Sequence, residues 1–383
     1  MVNKLCVISN YYPSDDDPYF TFVGTLVSAI ADLGVDCSVI TPVSLLERKH
    51  IGHTRVERTS KGNCVHVYCP KYVIYPDRTI FGFRTYRLTI ASQRAAIYRA
   101  FKKSIKNCDA IYSHFLDSGI NSMWLGKKLH KPAFVALGEC SITYSKPSYE
   151  TYGNEIVDGF NGIIYVSSAL KKEVDSFGLI NQNTPTIIAP NSIDADMFYV
   201  RNKEDCRAKF GAKNDDFIVA FVGGFIERKG FGLLQRVLSR HPEWKCILIG
   251  MGDIPVNLSS DQVVFSGRVS HDLIPEYLCA ADVFVLPTLA EGCCNAIIEA
   301  MGCGLPIISS DRDFNNDIID DTCSIRINPE SEKDIESAIE NLYVDIDKRT
   351  RLSEGSIKKA KDLSIVNRAK RILSFLEQNL SEK

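Results

Sequence analysis

Short apolar runs alternate with helically spaced stretches along this chain, and past its midpoint the rhythm starts again. Residues 5–9 read as a strand, and Phe22, Val23, Leu26, Val27, Ile30 and Leu33 follow at helical spacing up to Gly34. Further strand-like runs fall at 35–41, 64–68, 110–114, 133–137, 162–167 and 186–190. A new series opens at 217–224 and continues at 245–250, 263–267, 282–287 and 306–310. Strand–helix alternation predicts an α/β fold with parallel sheets and helices on both sides. A chain of 383 residues exceeds one ordinary core. The polar, turn-rich stretch 190–198 is the expected linker between a first domain (1–190) and a second (191–365). Val366, Ala369, Ile372, Leu373 and Leu376 predict a final helix over 366–383.

Composition narrows the function classes. A net charge of −2 gives no overall field directed at nucleic acid. The first residues run straight into a strand, no stretch is apolar for long enough to span a bilayer, and a cytoplasmic protein is expected. Thirteen cysteines are scattered without a CxxC pair. Cys6, Cys37, Cys246 and Cys279 lie in apolar runs, so reduced thiols behaving as small hydrophobes are expected, and no structural zinc. Asp15-Asp16-Asp17, between Pro13 and Pro18, reads as a solvated turn in preference to a metal site.

The densest chemistry lies at Glu291-Gly292-Cys293-Cys294-Asn295-Ala296-Ile297-Ile298-Glu299, between two strand-like runs. Asn295 is the expected helix cap, and backbone N–H groups of 292–295 would point from the helix N-terminus as a seat for a diphosphate. Glu291 and Glu299 could hold different hydroxyls of one ligand, although acidic residues near a helix start are also ordinary stabilising features. Upstream, Gly223-Gly224-Phe225-Ile226-Glu227-Arg228-Lys229-Gly230 follows a strand. Its glycines permit close backbone approach, and its two cations can face a diphosphate that gains charge as a bond breaks.

These segments resemble retaining glycosyltransferases of family 4, which have the GT-B architecture of two Rossmann-like domains facing across a cleft. The resemblance covers nearly the whole chain, strongly in the second half and loosely in the first. It implies that Glu291 contacts the donor sugar, Glu299 the ribose, and Gly292, Cys293, Cys294 and Asn295 the phosphate. Lys229 and Gly230 match the family's Gly-Arg-Leu-x-x-x-Lys-Gly run, but Gly224 stands where the arginine usually is, which leaves open whether Arg228 supplies the second cation. Gly250-Met251-Gly252 resembles the family's Gly-x-Gly turn, and Arg268-Val269 the segment whose backbone meets the base. His114, ending a strand of the first domain, resembles an active-site histidine; a structural histidine fits the same position. Asp17-Pro18-Tyr19-Phe20 and Leu137-Gly138-Glu139 depart from the glycine pair and His-Gly usual there, which argues for an unusual acceptor, with Glu139 on its side.

The implied activity is metal-independent transfer of a sugar from a nucleotide-sugar, most plausibly a UDP-sugar, with retention. Its acceptor would be a saccharide or a polyprenyl-diphosphate-linked saccharide in bacterial surface polysaccharide assembly, and no cofactor is expected. A nucleotide-sugar 2-epimerase and a silent glycosyltransferase-like subunit share the same plan. Residues 71–106 carry nine basic residues against Asp77 with aromatics interleaved. That pattern suits either an anionic membrane surface or a basic helix face in water.

Overall fold

The computed structural model describes residues 1–13, 20–46 and 54–380, so the acidic run at 15–17 lies outside the described residues. Two compact units divide at Ala189 and Pro190: one comprises Met1–Ala189 and Ile365–Lys383, the other Pro190–Ser364.

The first unit is built on an eight-stranded sheet. Its order is Thr186–Ile188, Gly162–Tyr165, Ala133–Leu137, Ala110–His114, Lys4–Ile8, Asp36–Ile40, Cys64–Tyr68, Arg55–Arg58. All neighbours are parallel except the last pair. The strand Ala110–His114 is buried along its whole length, as is Ala133–Leu137. That is the burial a parallel sheet covered on both faces requires. The helix Ile365–Gln378 contributes Ile365, Ala369, Ile372, Phe375 and Leu376 to the same core as the helix Thr21–Ala31. Phe375 fits because Gly162 has no side chain: a Cβ there would lie 2.7 Å from its ring.

The second unit repeats the plan in six parallel strands, ordered Val263–Gly267, Trp244–Ile249, Phe217–Val222, Val283–Leu286, Ile307–Ser310, Ser324–Ile327. In each sheet the chain order reverses beside the first strand, between Lys4–Ile8 and Ala110–His114 and between Phe217–Val222 and Val283–Leu286. Beyond the carboxyl ends of those strands the connecting loops diverge to opposite faces, and ligands of open α/β sheets bind there. Cys6, Cys37, Cys246 and Cys279 are buried free thiols. Burial pushes the Cys37 and Cys246 thiols up to about 12.

Candidate active site

In the second unit, four loops stand side by side at the carboxyl edge because their strands are adjacent in the sheet. Gly267 ends the strand Val263–Gly267, and its carbonyl accepts from Gly250 N–H at 2.9 Å. Gly250 has φ +145° and a Cβ there would meet Gly223 O at 1.9 Å, so these two loops touch backbone to backbone. Phe225 N–H then donates to Met251 O at 3.0 Å. Gly230 has φ +70° and leaves no room for a Cβ, which would lie 2.1 Å from Pro287 O. Glycine is therefore required where the cationic loop crosses the strand end.

That close crossing brings the charged groups together. Lys229 Nζ donates to Glu291 Oε1, and Thr288 Oγ1 donates to the same oxygen at 2.8 Å. Arg228 Nη1 donates to Ala290 O at 2.6 Å and lies 3.7 Å from Glu291 Oε2. Burial works against the Lys229 ammonium, but Cys294 and Glu291 more than offset it, and its pKa is raised. Burial, with the Glu291 charge beside it, pushes the Cys294 thiol up to about 12. The carboxylate and both cations thus form one constellation, with positive charge available to an anion that displaces the lysine from Glu291.

The helix Asn295–Gly302 begins beside this constellation. Its cap is Cys294, in an extended conformation, and not Asn295 as expected from the sequence. Asn295 is the first helical residue, and its Oδ1 is buried with no hydrogen-bond partner. The first-turn N–H groups, which no helix can satisfy internally, receive no side-chain cap. Asn191 fixes the preceding loop: its N–H donates to Cys293 Sγ at 3.2 Å and its Nδ2 to Cys293 O at 3.3 Å. One turn into the helix, Glu299 Oε1 lies 3.0 Å from His271 Nε2. Glu299, opposed by partial burial, raises the His271 pKa. Arg268 is exposed and Val269 half-buried on the neighbouring loop.

Lys229, Arg228, Glu291, Gly223, Gly224, Gly250, Gly292, Cys293, Cys294 and Asn295 are therefore gathered at one sheet edge, with Glu299 on the same helix. Thr288, Asn191 and His271 are additions. Thr288 is itself held, its carbonyl accepting from Ser310 Oγ at 2.5 Å, while Asn315 Nδ2 donates to Ser310 O at 2.8 Å.

In the first unit the corresponding point is occupied differently. His114 is 1% exposed, and among the described residues neither ring nitrogen has a hydrogen-bond partner. Phe22, Tyr112 and Phe115 pack edge-on around it. Burial, reinforced by the Arg368 charge, depresses its pKa to about 3, so the imidazole is neutral. Glu139 lies two residues past the end of the neighbouring strand, Ala133–Leu137. It accepts Leu116 N–H at 2.7 Å and Ser145 Oγ–H at 3.3 Å, while its other oxygen is buried without a partner. Burial lifts the Glu139 carboxyl to about 7, with Asp117 adding to the effect.

The architecture of both units is that of GT-B glycosyltransferases. A solved structure of Anabaena HepE in complex with UDP-glucose aligns over 99% of this chain and 100% of its own, with TM-score 0.73 and 16% identity. Residues 216–345 match the family described as glycosyl transferases group 1. TuaC of Bacillus subtilis, which carries the provisional name of a teichuronic acid biosynthesis glycosyltransferase, is 24% identical over 352 residues, 88% of each chain. An Escherichia coli UDP-Gal:alpha-D-GlcNAc-diphosphoundecaprenol alpha-1,3-galactosyltransferase is 31% identical over 147 residues, 34% of this chain and 38% of its own. Residues 216–345 of the second unit thus match group 1 glycosyl transferases, and the chain is a glycosyltransferase. Among the described residues no helix is long and apolar enough to cross a membrane.

Proposed function

We propose that the chain transfers a sugar from a UDP-sugar, with retention of configuration, to a saccharide acceptor carried on a polyprenyl diphosphate. We place this reaction in bacterial surface polysaccharide assembly at the inner face of the cell membrane. The observation that carries the reading is the shared grip of Lys229 and Arg228 on Glu291 beside an uncapped helix N-terminus. A nucleoside diphosphate entering there competes for the lysine and frees Glu291 to accept from sugar hydroxyls. As the bond from the sugar's anomeric carbon to the diphosphate breaks, charge accumulates on the departing phosphate. The cations and first-turn N–H groups would face it there. The acceptor oxygen then bonds to the anomeric carbon on the same face, its proton passes to a phosphate oxygen, and UDP leaves. Two side-chain cations supply at the diphosphate the charge that a divalent metal supplies elsewhere, so turnover should persist in EDTA. Glu299 and the backbone at 268–269 would hold ribose and base. The relatives' printed names support the donor and the lipid-linked acceptor.

The test is a panel of UDP-sugars incubated with and without a polyprenyl-diphosphate-linked sugar, with the product's anomeric configuration read by NMR. Donor consumption that requires acceptor and yields the retained anomer is expected. An isomerised donor without acceptor would make the chain an epimerase, an inverted product would remove retention, and absence of calorimetric nucleotide-sugar binding would leave a silent subunit.

A further inference from the structure

The basic, aromatic stretch around residues 71–106 forms a feature that sugar transfer does not use. The helix Tyr86–Ala100 packs beside the helices Leu116–Leu129 and Lys146–Ile156 of the first unit, and a cavity of about 580 Å³ opens along their outer face. That volume is in the range of small-ligand sites. Arg87, Arg94, Arg99 and Lys128 line it, against one carboxylate, Glu155. Arg94 lies 3.9 Å from that carboxylate, at the limit of an ion pair, and Glu155 is 55% exposed. Arg87, Arg99 and Lys128 make no ion pair among the described residues.

Aromatic rings hold these cations in place. The Arg94 guanidinium sits 4.8 Å from the Tyr152 ring centre and 5.5 Å from that of Trp124, and Arg87 lies over Tyr152 at 5.3 Å. Lys128 Nζ is 4.4 Å from the Tyr98 ring. Arg94 Nη2 donates to Ile120 O at 3.0 Å, while its Nε is buried with no partner. A buried guanidinium N–H without an acceptor is costly to maintain. Burial also pulls the Arg94 pKa down. An oxyanion in the cavity would offset the second of these by its charge.

The same helix is preceded by a hairpin, Thr79–Ile80 paired with Phe83–Arg84, whose apolar residues face outward. Ile80 and Phe83 are exposed, and Phe81 is exposed completely, at φ +48°. A bulky residue at positive φ is uncommon, and one held there in water gains nothing from burial. Leu88, on the helix's first turn, is exposed as well. Three residues beyond the hairpin begins the row Arg87, Arg94 and Arg99, and past the helix Lys102, Lys103 and Lys106 are exposed.

We infer that this face of the first unit docks on a bilayer, with the phosphate of an anionic lipid headgroup seated among Arg87, Arg94, Arg99 and Lys128 and the hairpin tip at 80–83 entering the interface. Each basic group near an anionic surface contributes roughly a factor of five to binding, and an apolar tip adds affinity that salt does not screen. The inference rests on the membrane location proposed above, but its assay needs neither donor nor acceptor. It can therefore fail while sugar transfer succeeds, and the reverse.

The experiment is vesicle co-sedimentation of the full chain, with phosphatidylglycerol-containing against pure phosphatidylcholine vesicles, at low and high salt. Salt-sensitive binding to the anionic vesicles is expected, weaker by about thirty-fold in the Arg87→Gln/Arg99→Gln variant. Phe81→Asp should also weaken it, and should leave a residue of salt-sensitive binding. Because Arg94 bridges three helices, the exposed Arg87 and Arg99 carry the test, with thermal unfolding as the control for folding. Equal binding to phosphatidylcholine would overturn the inference. So would anionic binding that both variants retain. Calorimetric binding of inorganic diphosphate without any vesicle binding would reassign the cavity to a free ligand, and binding to neither would leave it a structural cation–aromatic stack.

Discussion

The two units share a strand order and place their chemistry at the same topological point, yet they treat charge in opposite ways. In the second unit, Lys229 and Arg228 are paired with Glu291, and Arg228 is also held by the Ala290 carbonyl. In the first, His114 and Glu139 are buried, neutral or nearly so, and each keeps at least one polar atom without a partner. Exchanging one ion-pair partner for another is inexpensive, so the second site is suited to an anionic ligand that arrives charged. Charging a buried neutral group is not, so the first site resists protons at His114 and the loss of one at Glu139. A fold repeated in one chain therefore does not repeat its electrostatics.

The largest effect should come from breaking the charged side of this contrast. Lys229→Ala is expected to lower kcat about 100- to 1000-fold with the variant still folded, the usual cost of losing one pre-aimed electrostatic group. A kcat near that of the parent would take lysine out of the mechanism. Arg228→Ala should cost less, because its guanidinium is more exposed and 3.7 Å from Glu291.

The buried side is sharpened by pH. Glu139 titrates at about 7 when folded against 4.5 when unfolded, so its contribution is fully present below pH 4.5 and declines as pH rises to about 7. His114 has the opposite sign: neutral when folded down to about 3 against 6.5 unfolded, it costs nothing above pH 6.5 and destabilises progressively below. Denaturant unfolding of Glu139→Gln beside the parent should show a stability difference that changes by on the order of 3 kcal/mol between pH 4.5 and 7.5. His114→Asn should instead lose acid sensitivity. Parallel curves for either variant would mean that the group is hydrated in solution.

Next in size is the loop contact that assembles the second site. Gly250→Ala places a Cβ against Gly223 O at a positive φ, and a loss of about 1–3 kcal/mol is expected together with weaker UDP binding, read by thermal shift. Smallest is His271→Ala. The pair with Glu299 is partly solvated and contributes a few tenths of a kcal/mol, present below pH 6.5 and lost as pH rises through the elevated histidine pKa. Calorimetry should find UDP affinity changed by less than about threefold.

Much of this molecule is legible in its residues because the strands of a parallel sheet are rich in apolar residues. The runs at 110–114, 133–137 and 263–267 coincide with their strands. Arg55–Arg58 does not announce itself, since an antiparallel edge strand needs only alternate residues inward and two of its four are arginine. Ser324–Ile327 is similarly half polar at the other sheet's edge. In the site, the cationic loop and Glu291 could be identified singly, but their meeting across 62 residues depends on sheet order. His271 belongs to no recognisable pattern, and its approach to Glu299 could be found only in three dimensions. The displaced cap at Cys294 shows the limit of residue preference: Asn295 is the better capping type, but the backbone turns one position earlier.

The placement of Phe375 over Gly162 has a consequence for synthesis. The first unit's interior is sealed by a helix translated after every residue of the second, so on the ribosome the second unit can fold to completion while the first still exposes an open apolar trough. Removing the helix from residue 365 onward should leave the second unit cooperative and the first prone to aggregate, and growing chains would depend on chaperones until the last turn emerges.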